Sequence, residues 1–258
     1  MLIAQISDSH ILADSSDLPE AGPRAEDLRR CVADIGRLDP QPDIVIHTGD
    51  TVQNGAAADY EHLRKLLLPL KPRVYPTLGN RDEQTKFRES FGMEHGPFLQ
   101  YAIEEYPIRL IALDTIEPSE NKGAFCTDRL RWLDETLAAA PDRPTMLFMH
   151  HPPFDLAPYY LRGYRNPADR DALATVISRH RQVRRIICGH CHSISHTDWA
   201  GTEASTTASI ARDVRKGVDE NRFGDMPIYQ LHHVAGDGTV TTETRYAGSG
   251  LRSDRENL

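Results

Sequence analysis

Apolar residues along this chain come in two alternating rhythms. Short unbroken runs mark buried strands, and stripes spaced three or four residues apart mark helices with one buried face. Leu2 to Ser7 is the first run, followed by a polar loop over 11–23 that contains proline and glycine. Arg24 to Leu38 then sets Leu28, Val32, Ile35 and Leu38 on one helical face, and Pro40 and Pro42 stop it. Asp43 to His47 is a second run around Ile44-Val45-Ile46. Ala56 to Leu70 is a second helix, with Tyr60, Leu63, Leu67 and Leu70 in line, and Arg73 to Leu78 is a third strand. Alternation of this kind predicts parallel pairing in an α/β sheet.

Further along, the rhythm changes. Phe98 to Glu104 and Ile108 to Asp114 read as antiparallel strands around Tyr106-Pro107. Thr127 to Ala139 reads as a helix with Thr127 at its N-cap. Pro144 to Met149 is a strand, Pro167 to His180 a helix with proline near its first position, and Val183 to Cys188 another strand. The last quarter is β-rich. Ser193 to Trp199 and Thr202 to Ser209 meet at Ala200-Gly201, and Ile228 to Val234 and Thr239 to Tyr246 flank Ala235-Gly236-Asp237-Gly238, a hairpin signal. Gly248 to Leu258 is a charged tail, expected to fray. No repeat or linker divides the chain, so the reading is one domain over 1–258.

Polar residues gather where the strands end. The first run leads into Asp8-Ser9-His10, the second into Thr48-Gly49-Asp50, the third into Gly79-Asn80, the 144–149 run into His150-His151-Pro152-Pro153, and the 183–188 run into Gly189-His190-Cys191-His192. In open α/β sheets ligands bind beyond the carboxyl ends of strands, so these residues are delivered to one edge. One Asp-x-His triplet by itself means little. The whole inventory is two carboxylates, one amide and four imidazoles, more than one four-coordinate ion uses. It suits two divalent or trivalent ions that share a bridging carboxylate. Glycines before Asp50, Asn80 and His190 permit close backbone approach to a ligand.

Composition narrows the chemistry. The chain has 258 residues, 39% apolar and 26% charged, enough for a sizeable core. A net charge of -8 argues against a nucleic-acid polymer or an anionic membrane as partner. It leaves a phosphate substrate open, because bound cations reverse the local sign. No apolar stretch approaches the ~20 residues that span a bilayer, and the N-terminus resembles a core strand rather than a signal segment. The expected location is cytoplasmic. Four cysteines, Cys31, Cys126, Cys188 and Cys191, are too few for a disulfide framework.

The five blocks, in this order, resemble the calcineurin-like metallophosphoesterase superfamily, whose pattern is D-x-H, G-D, G-N-H-[D/E], H and G-H-x-H. Within it the chain looks most like the small class III cyclic-nucleotide and glycerophosphodiester phosphodiesterases. The resemblance implies a four-layer αββα sandwich, two mixed sheets flanked by helices, closed here by a C-terminal β-hairpin. It implies two metal ions of the Fe, Mn, Zn or Co kind. One would take Asp8, His10, Asp50 and His192; the other Asp50, Asn80, His150 and His190, with Asp50 as bridge. A bridging hydroxide would attack phosphorus in line with the leaving alkoxide. Asp50, Asn80, Arg81 and His192 are thus the expected catalytic group, with Asn80, Arg81 and His192 also touching substrate. Asp82 is a candidate to orient the imidazoles. The implied substrate is a small phosphodiester such as 3',5'-cAMP or a glycerophosphodiester, and the implied assembly a homo-oligomer, dimer or higher.

One position departs from the pattern. Arg81 stands where the family usually has histidine. Arginine can clamp a phosphate bidentately but cannot act as a general acid. Phosphate clamping survives this exchange; protonation of the leaving group by this residue does not. It also keeps a rival reading alive, a phosphomonoesterase or protein-phosphatase-like hydrolase. A nuclease of the same superfamily fits the acidic chain poorly, and a non-catalytic binding scaffold would be expected to have lost ligands that here are all present.

Other polar residues have plainer readings. His151 is expected to support the site rather than ligate, and His47 to be a satisfied core histidine. His62, His95, His180, His232 and His233 are expected on the surface, and His196 near the pocket rim at most. Cys188 reads as a small buried hydrophobe and Cys191 as a pocket-lining thiol. Residues 154–166 carry Tyr159, Tyr160, Arg162, Tyr164 and Arg165 directly after the His150 block. They are either a surface loop or a lid over the metals, with Tyr159 and Arg162 as substrate contacts. The charged loop 209–225, with Arg212, Arg215, Lys216 and Arg222, is expected to be solvated.

Overall fold

The computed structural model describes residues 1–13, 19–93, 96–118 and 120–248, and the backbone of 252–253. Two six-stranded mixed sheets carry the architecture. The first is built from β1 (Leu2–Ile6), β2 (Ile44–His47) and β3 (Arg73–Pro76), all parallel, with α1 (Ala21–Gly36) and α2 (Ala57–Leu67) as crossovers. After α3 (Gln84–Phe91) the chain enters the second sheet through β4 (Tyr101–Ile103) and β5 (Arg109–Leu113). It continues through α4 (Thr127–Ala138), β6 (Thr145–Met149), α5 (Pro167–Ser178) and β7 (Val183–Cys188), then the hairpin β8 (Ser195–Trp199) and β9 (Thr202–Thr206). A short helix, α6 (Glu220–Phe223), leads back to the first sheet, which β10 (Ile228–Val234), β11 (Val240–Tyr246) and β12 (Arg252–Ser253) complete on the open side of β1. Strand order is β12-β11-β10-β1-β2-β3 in one sheet and β4-β5-β6-β7-β9-β8 in the other.

Period-two alternation in the strands divides their side chains between two faces. In β1, Leu2, Ala4 and Ile6 pack outward on Leu28, Val32 and Ile35 of α1, with Leu63 and Phe87 in the same cluster. Ile3, on the opposite face, packs with Ile44, Ile46, Leu110, Met146 and Phe148 between the sheets. The outer face of the second sheet, with Ile111, Leu147 and Ile186, is covered by Leu133, Leu137, Leu173 and Ile177 of α4 and α5. The order helix, sheet, sheet, helix is the expected αββα sandwich. The β10–β11 hairpin is in place, and the β8–β9 turn has both Ala200 and Gly201 at positive φ, the geometry a tight two-residue turn needs.

Several local expectations are corrected. The sequence pattern passed over α3, which Glu83 caps by accepting from Thr85 N–H and Lys86 N–H and which Gly92 ends at φ 64°. Thr127 is the first helical residue rather than the cap; Cys126 holds that place with no side-chain bond. His62 and His232 are buried, not surface, because each has polar partners inside. His62 Nδ1 meets the Leu12 carbonyl at 2.7 Å, and His232 bridges Gln5 Oε1 and Thr242 Oγ1, each at 2.9 Å. Cys191 is packed in the core beneath α4 and α5 rather than lining a pocket. Arg215 is buried and Arg212 half-buried, each held by partners: Arg212 binds Asp27, and Arg215 binds Glu220 and the carbonyls of Phe223 and Met226. His95 and most of the tail 248–258 lie outside the described residues. Among the described residues no helix is long and apolar enough to cross a membrane.

Candidate metal centre

Five strand ends meet at one edge of the sandwich. Backbone hydrogen bonds strap the first two together past the ends of β1 and β2. Asp8 N–H donates to the Gly49 carbonyl at 3.0 Å, His10 N–H to the Asp50 carbonyl at 3.1 Å, and Ile11 N–H to the Thr51 carbonyl at 3.2 Å. The third turn is locked to the second by Asp82. Its carboxylate accepts from Gly79 N–H, Thr51 N–H, the Thr51 hydroxyl and the Tyr60 hydroxyl. Asp82 was expected to orient an imidazole; its hydrogen bonds instead fix the two turns that carry Asp50 and Asn80. Burial, with the Asp50 charge beside it, raises the Asp82 carboxyl to about 6.

Close approach explains two of the glycines. A side chain at Gly79 would begin 2.0 Å from the Asp50 amide nitrogen, and one at Gly189 would begin 2.2 Å from Ser7 Oγ. The ligands themselves carry the strain. Asp8, His10, Asp50, His190 and His192 all have φ between 45° and 67°, which disfavours residues with a Cβ by roughly 1–2 kcal/mol each. Backbone strain of this kind persists where the surroundings over-determine it, and functional sites are where it concentrates.

The side chains converge in two groups. In the first, His10 Nε2 and His192 Nε2 are 3.2 Å apart, His192 Nε2 is 3.3 Å from Asp8 Oδ1, and His10 Nε2 is 3.7 Å from Asp50 Oδ2. In the second, Asn80 Oδ1 is 3.0 Å from both His150 Nε2 and His190 Nδ1, and those nitrogens are 3.2 Å apart. Asp50 Oδ1 stands 3.5 Å from His150 Nε2. The two oxygens of Asp50 therefore face different groups. Donors that each sit about 2.1 Å from one ion are roughly 3.0–3.4 Å from one another in octahedral or tetrahedral geometry. The observed spacings have that size.

Proton placement agrees. His150 Nδ1 donates to the Thr48 carbonyl at 2.8 Å and His192 Nδ1 to the Val214 carbonyl at 2.9 Å. Each bond leaves Nε2 as a lone pair aimed into its group. Asn80 Nδ2 donates to Asn121 Oδ1 at 3.3 Å, which turns the Asn80 oxygen inward. The Asn80 oxygen and the Nε2 atoms of His150 and His192 therefore face inward beside the carboxylates of Asp8 and Asp50, a donor set that suits cations. Asp8, His150, Asp50 and His10 are 0–3% exposed. Burial lowers the His10 imidazole to about 3, and it pushes His190 well down, with neighbouring His150 adding to the effect. These imidazoles are neutral at physiological pH, as ligation requires. Asp50 is raised by burial and by the Asp8 charge. Asp8 is lowered, since His192, His150 and His10 outweigh its burial.

The expected ligands thus fall into the two expected sets, Asp8/His10/Asp50/His192 and Asp50/Asn80/His150/His190. Three imidazoles, His150, His151 and His190, also have ring nitrogens within 4.8 Å of one another. His151 Nδ1 meets Thr115 Oγ1 at 2.9 Å, and its ring packs 4.3 Å from that of His190. His47 is buried with Nε2 2.9 Å from Ser9 Oγ, but its Nδ1 is buried without a hydrogen-bond partner, so the expected core histidine is only half satisfied. Arg81 donates its backbone N–H to Asp50 Oδ1 at 2.8 Å; its side chain is exposed. In the loop 154–166, Tyr159 and Arg162 are exposed, and the residue that reaches the centre is Tyr160, its ring 5.1 Å from that of His190. Asn121 and the carbonyls of Thr48 and Val214 went unnoticed in the sequence. No spacing or residue type marks them.

Known proteins fit this geometry. The pattern that defines calcineurin-like phosphoesterases matches residues 1–193. A probable glycerophosphodiester phosphodiesterase of Arcobacter nitrofigilis is 31% identical over 256 residues, covering 96% of this chain and 94% of that protein. A probable cyclic nucleotide phosphodiesterase of a Synechococcus strain is 34% identical over 200 residues, covering 74% and 72%. Among solved structures, a dimetal phosphatase from Danio rerio superposes with a TM-score of 0.72 at 14% identity, over 98% of each chain, a likeness of fold. With the five motif blocks, two mixed sheets and paired donor groups sharing Asp50, the chain belongs to the calcineurin-like phosphoesterase family.

Proposed function

We propose that this protein is a dinuclear-metal phosphodiesterase acting on a small diester of the cyclic nucleotide or glycerophosphodiester kind. One observation carries the reading: two groups of lone-pair donors share the two oxygens of Asp50. The relatives' names point to the same ester class. The ions that fit the donor mix are Fe, Mn, Zn or Co. When bound, such a pair supplies Lewis-acid polarisation of the phosphoryl oxygens and an activated water at neutral pH.

The chain's own residues supply position and charge. Asp8, His10 and His192 would hold one ion and Asn80, His150 and His190 the other, with Asp50 contributing to both. Arg81 brings a cation to the exposed side, where it binds a non-bridging phosphate oxygen. Its side chain cannot release a proton near neutral pH, so the leaving alkoxide takes its proton from water. Esters whose leaving groups need little protonation are favoured accordingly. Tyr159 and Arg162 contact the substrate's outer portion from the 154–166 loop. Four unpaired cysteines agree with a reducing, cytoplasmic setting.

Arg81 also supports a second reading, a monoesterase. Among the described residues no hydrogen bond or ion pair occupies its guanidinium, which leaves it free to clamp a dianionic phosphate. Metal-reconstituted protein assayed on bis(p-nitrophenyl) phosphate and p-nitrophenyl phosphate separates the two. A higher kcat/KM on the diester supports the phosphodiesterase; a higher value on the monoester replaces it with the second reading.

A further inference from the structure

The first part of the loop 209–225 runs as a strap across the first group of metal donors. Ser209 Oγ donates to the Asp8 carbonyl at 2.7 Å, and Ile210 N–H to the Ser7 carbonyl at 3.0 Å. A 3₁₀ turn over Arg212–Val214 follows. The last carbonyl of such a turn has no partner within it, and that of Val214 accepts from His192 Nδ1 at 2.9 Å. Two residues on, Lys216 N–H donates to the His192 carbonyl at 2.9 Å. The strap thus grips His192 by its ring and by its backbone.

What fixes the strap comes from α1. Arg24 is 7% exposed, and its Nε lies 3.1 Å from each Asp213 oxygen, with Nη2 2.6 Å from Oδ2. Its Nη1 donates to the His10 carbonyl at 3.3 Å and to Gln53 Oε1 at 3.0 Å. One turn further along α1, Asp27 accepts from Arg212 Nε at 2.6 Å and from Arg212 N–H at 3.2 Å. Two ion pairs of opposite sense therefore pin successive strap residues to one face of the helix. Helix stability accounts poorly for Arg24. It sits in the first turn of α1, where the helix dipole disfavours a cation. Its partner Asp213 is exposed, and a pair with one member in water adds little stability. What the rigid guanidinium fork supplies is geometry, with donors aimed at both imidazole-bearing sides of the first group.

From these contacts we infer that Arg24 is a positioning residue for the first metal site. Its guanidinium ties the His10 backbone to Asp213, the residue before Val214. It thereby sets where the Val214 carbonyl stands and which way His192 Nε2 points. Asp213 also neutralises the Arg24 charge, which would otherwise repel an ion near His10. The second half has no such device. Its His150 is oriented by the Thr48 carbonyl, one residue past β2, so the sheet itself fixes the acceptor. The inference rests on the two-ion reading above and adds to it: one half is set by the sheet, the other by a helix acting through a strap.

Imidazole ¹⁵N NMR of the full chain, followed through a chelator-buffered zinc titration, tests this. His10 and His192 report the first half, His150 and His190 the second. Two variants leave the local net charge as it is. Arg24→Lys keeps the cation and loses the fork; the double variant Arg24→Met with Asp213→Ala removes both partners. Each should weaken zinc binding at His10 and His192 about tenfold, the low end for a group that orients a ligand, and leave His150 and His190 as in wild type. In metal-free protein at mildly alkaline pH, the His192 nitrogens should lose their Nδ1–H pattern in both variants while those of His150 keep it. Unchanged first-half affinity in both variants, with wild type binding two ions, overturns the inference and leaves the two-ion reading standing. Equal weakening in both halves also overturns it, because that is the mark of a general structural role. A wild type that binds fewer than two ions overturns the two-ion reading, and this inference with it.

Discussion

The two halves of the metal centre are built from the same strand ends but differ in charge. The first half takes two carboxylates, Asp8 and Asp50, with two imidazoles. The second shares Asp50 but replaces the other carboxylate with the neutral Asn80. Their supports differ as well. His192 in the first half and His150 in the second are each fixed by a backbone carbonyl, whereas Asn80 is oriented by another side chain, Asn121. A carboxylate attracts a cation more strongly than an amide does at the same distance. The comparison teaches that the two donor groups at one fold edge differ in charge, and predicts tighter cation binding in the first than in the second.

The largest effect should come from the residue the halves share. Asp50→Asn removes a charge from both and should lower diester hydrolysis by several kcal/mol in barrier, on the order of 10³-fold, with loss of both ions in elemental analysis. Retention of two ions would break the idea of a bridge. Next, Asp8→Asn and Asn80→Ala should separate the halves. Metal analysis after dialysis should find the first half depleted in Asp8→Asn and the second in Asn80→Ala. Equal losses from both halves in each variant would show that the distinction is not real. A smaller effect is expected from Asn121→Ala, which frees the Asn80 amide to turn. Affinity in the second half should fall roughly 10–100-fold, the usual scale for a group that orients a ligand, with the first half unchanged.

Acid should discriminate the halves in the opposite sense. Burial alone would lower His192, but the Asp8 carboxylate at 3.3 Å holds it above its ordinary value. Ligation needs the neutral imidazole, so below that raised pKa a proton competes and affinity in the first half falls about tenfold per pH unit. In the second half His190 is held well below its ordinary value, so its imidazole stays neutral further into acid. Metal titrations between pH 5 and 7.5 should show the steeper dependence in the first half. The mildest change is Arg81→Ala, expected to raise KM with a smaller change in kcat, while Arg81→His should add a titrating limb to the pH–rate profile. Unchanged kinetics in both would remove Arg81 from the site.

The sequence made some of this centre legible and hid the rest for physical reasons. Strand ends are legible because buried runs are continuous and the turns after them need glycine. That is why Gly49-Asp50, Gly79-Asn80 and Gly189-His190 stood out, and why their convergence followed from parallel pairing. The inward turn of Asn80 depends on Asn121, which lies in a loop without periodicity. The orientation of His192 depends on a backbone carbonyl, and any residue at position 214 would offer one. Tyr159 and Tyr160 are neighbours with equal chemistry, and only the path of the loop aims Tyr160 at His190. His232 and Arg215 looked like surface residues because charge and polarity are read one residue at a time. Their partners, Gln5 and Glu220 among them, come from other elements or a later turn.

The central claim is that two ions sit at this edge with Asp50 between them. Anomalous diffraction from crystals of the manganese-reconstituted protein tests it directly. The account predicts two peaks about 3.5–4 Å apart, one beside Asp8, His10 and His192, the other beside Asn80, His150 and His190, with Asp50 touching both. A single peak, or two peaks with Asp50 bound to only one, would contradict it.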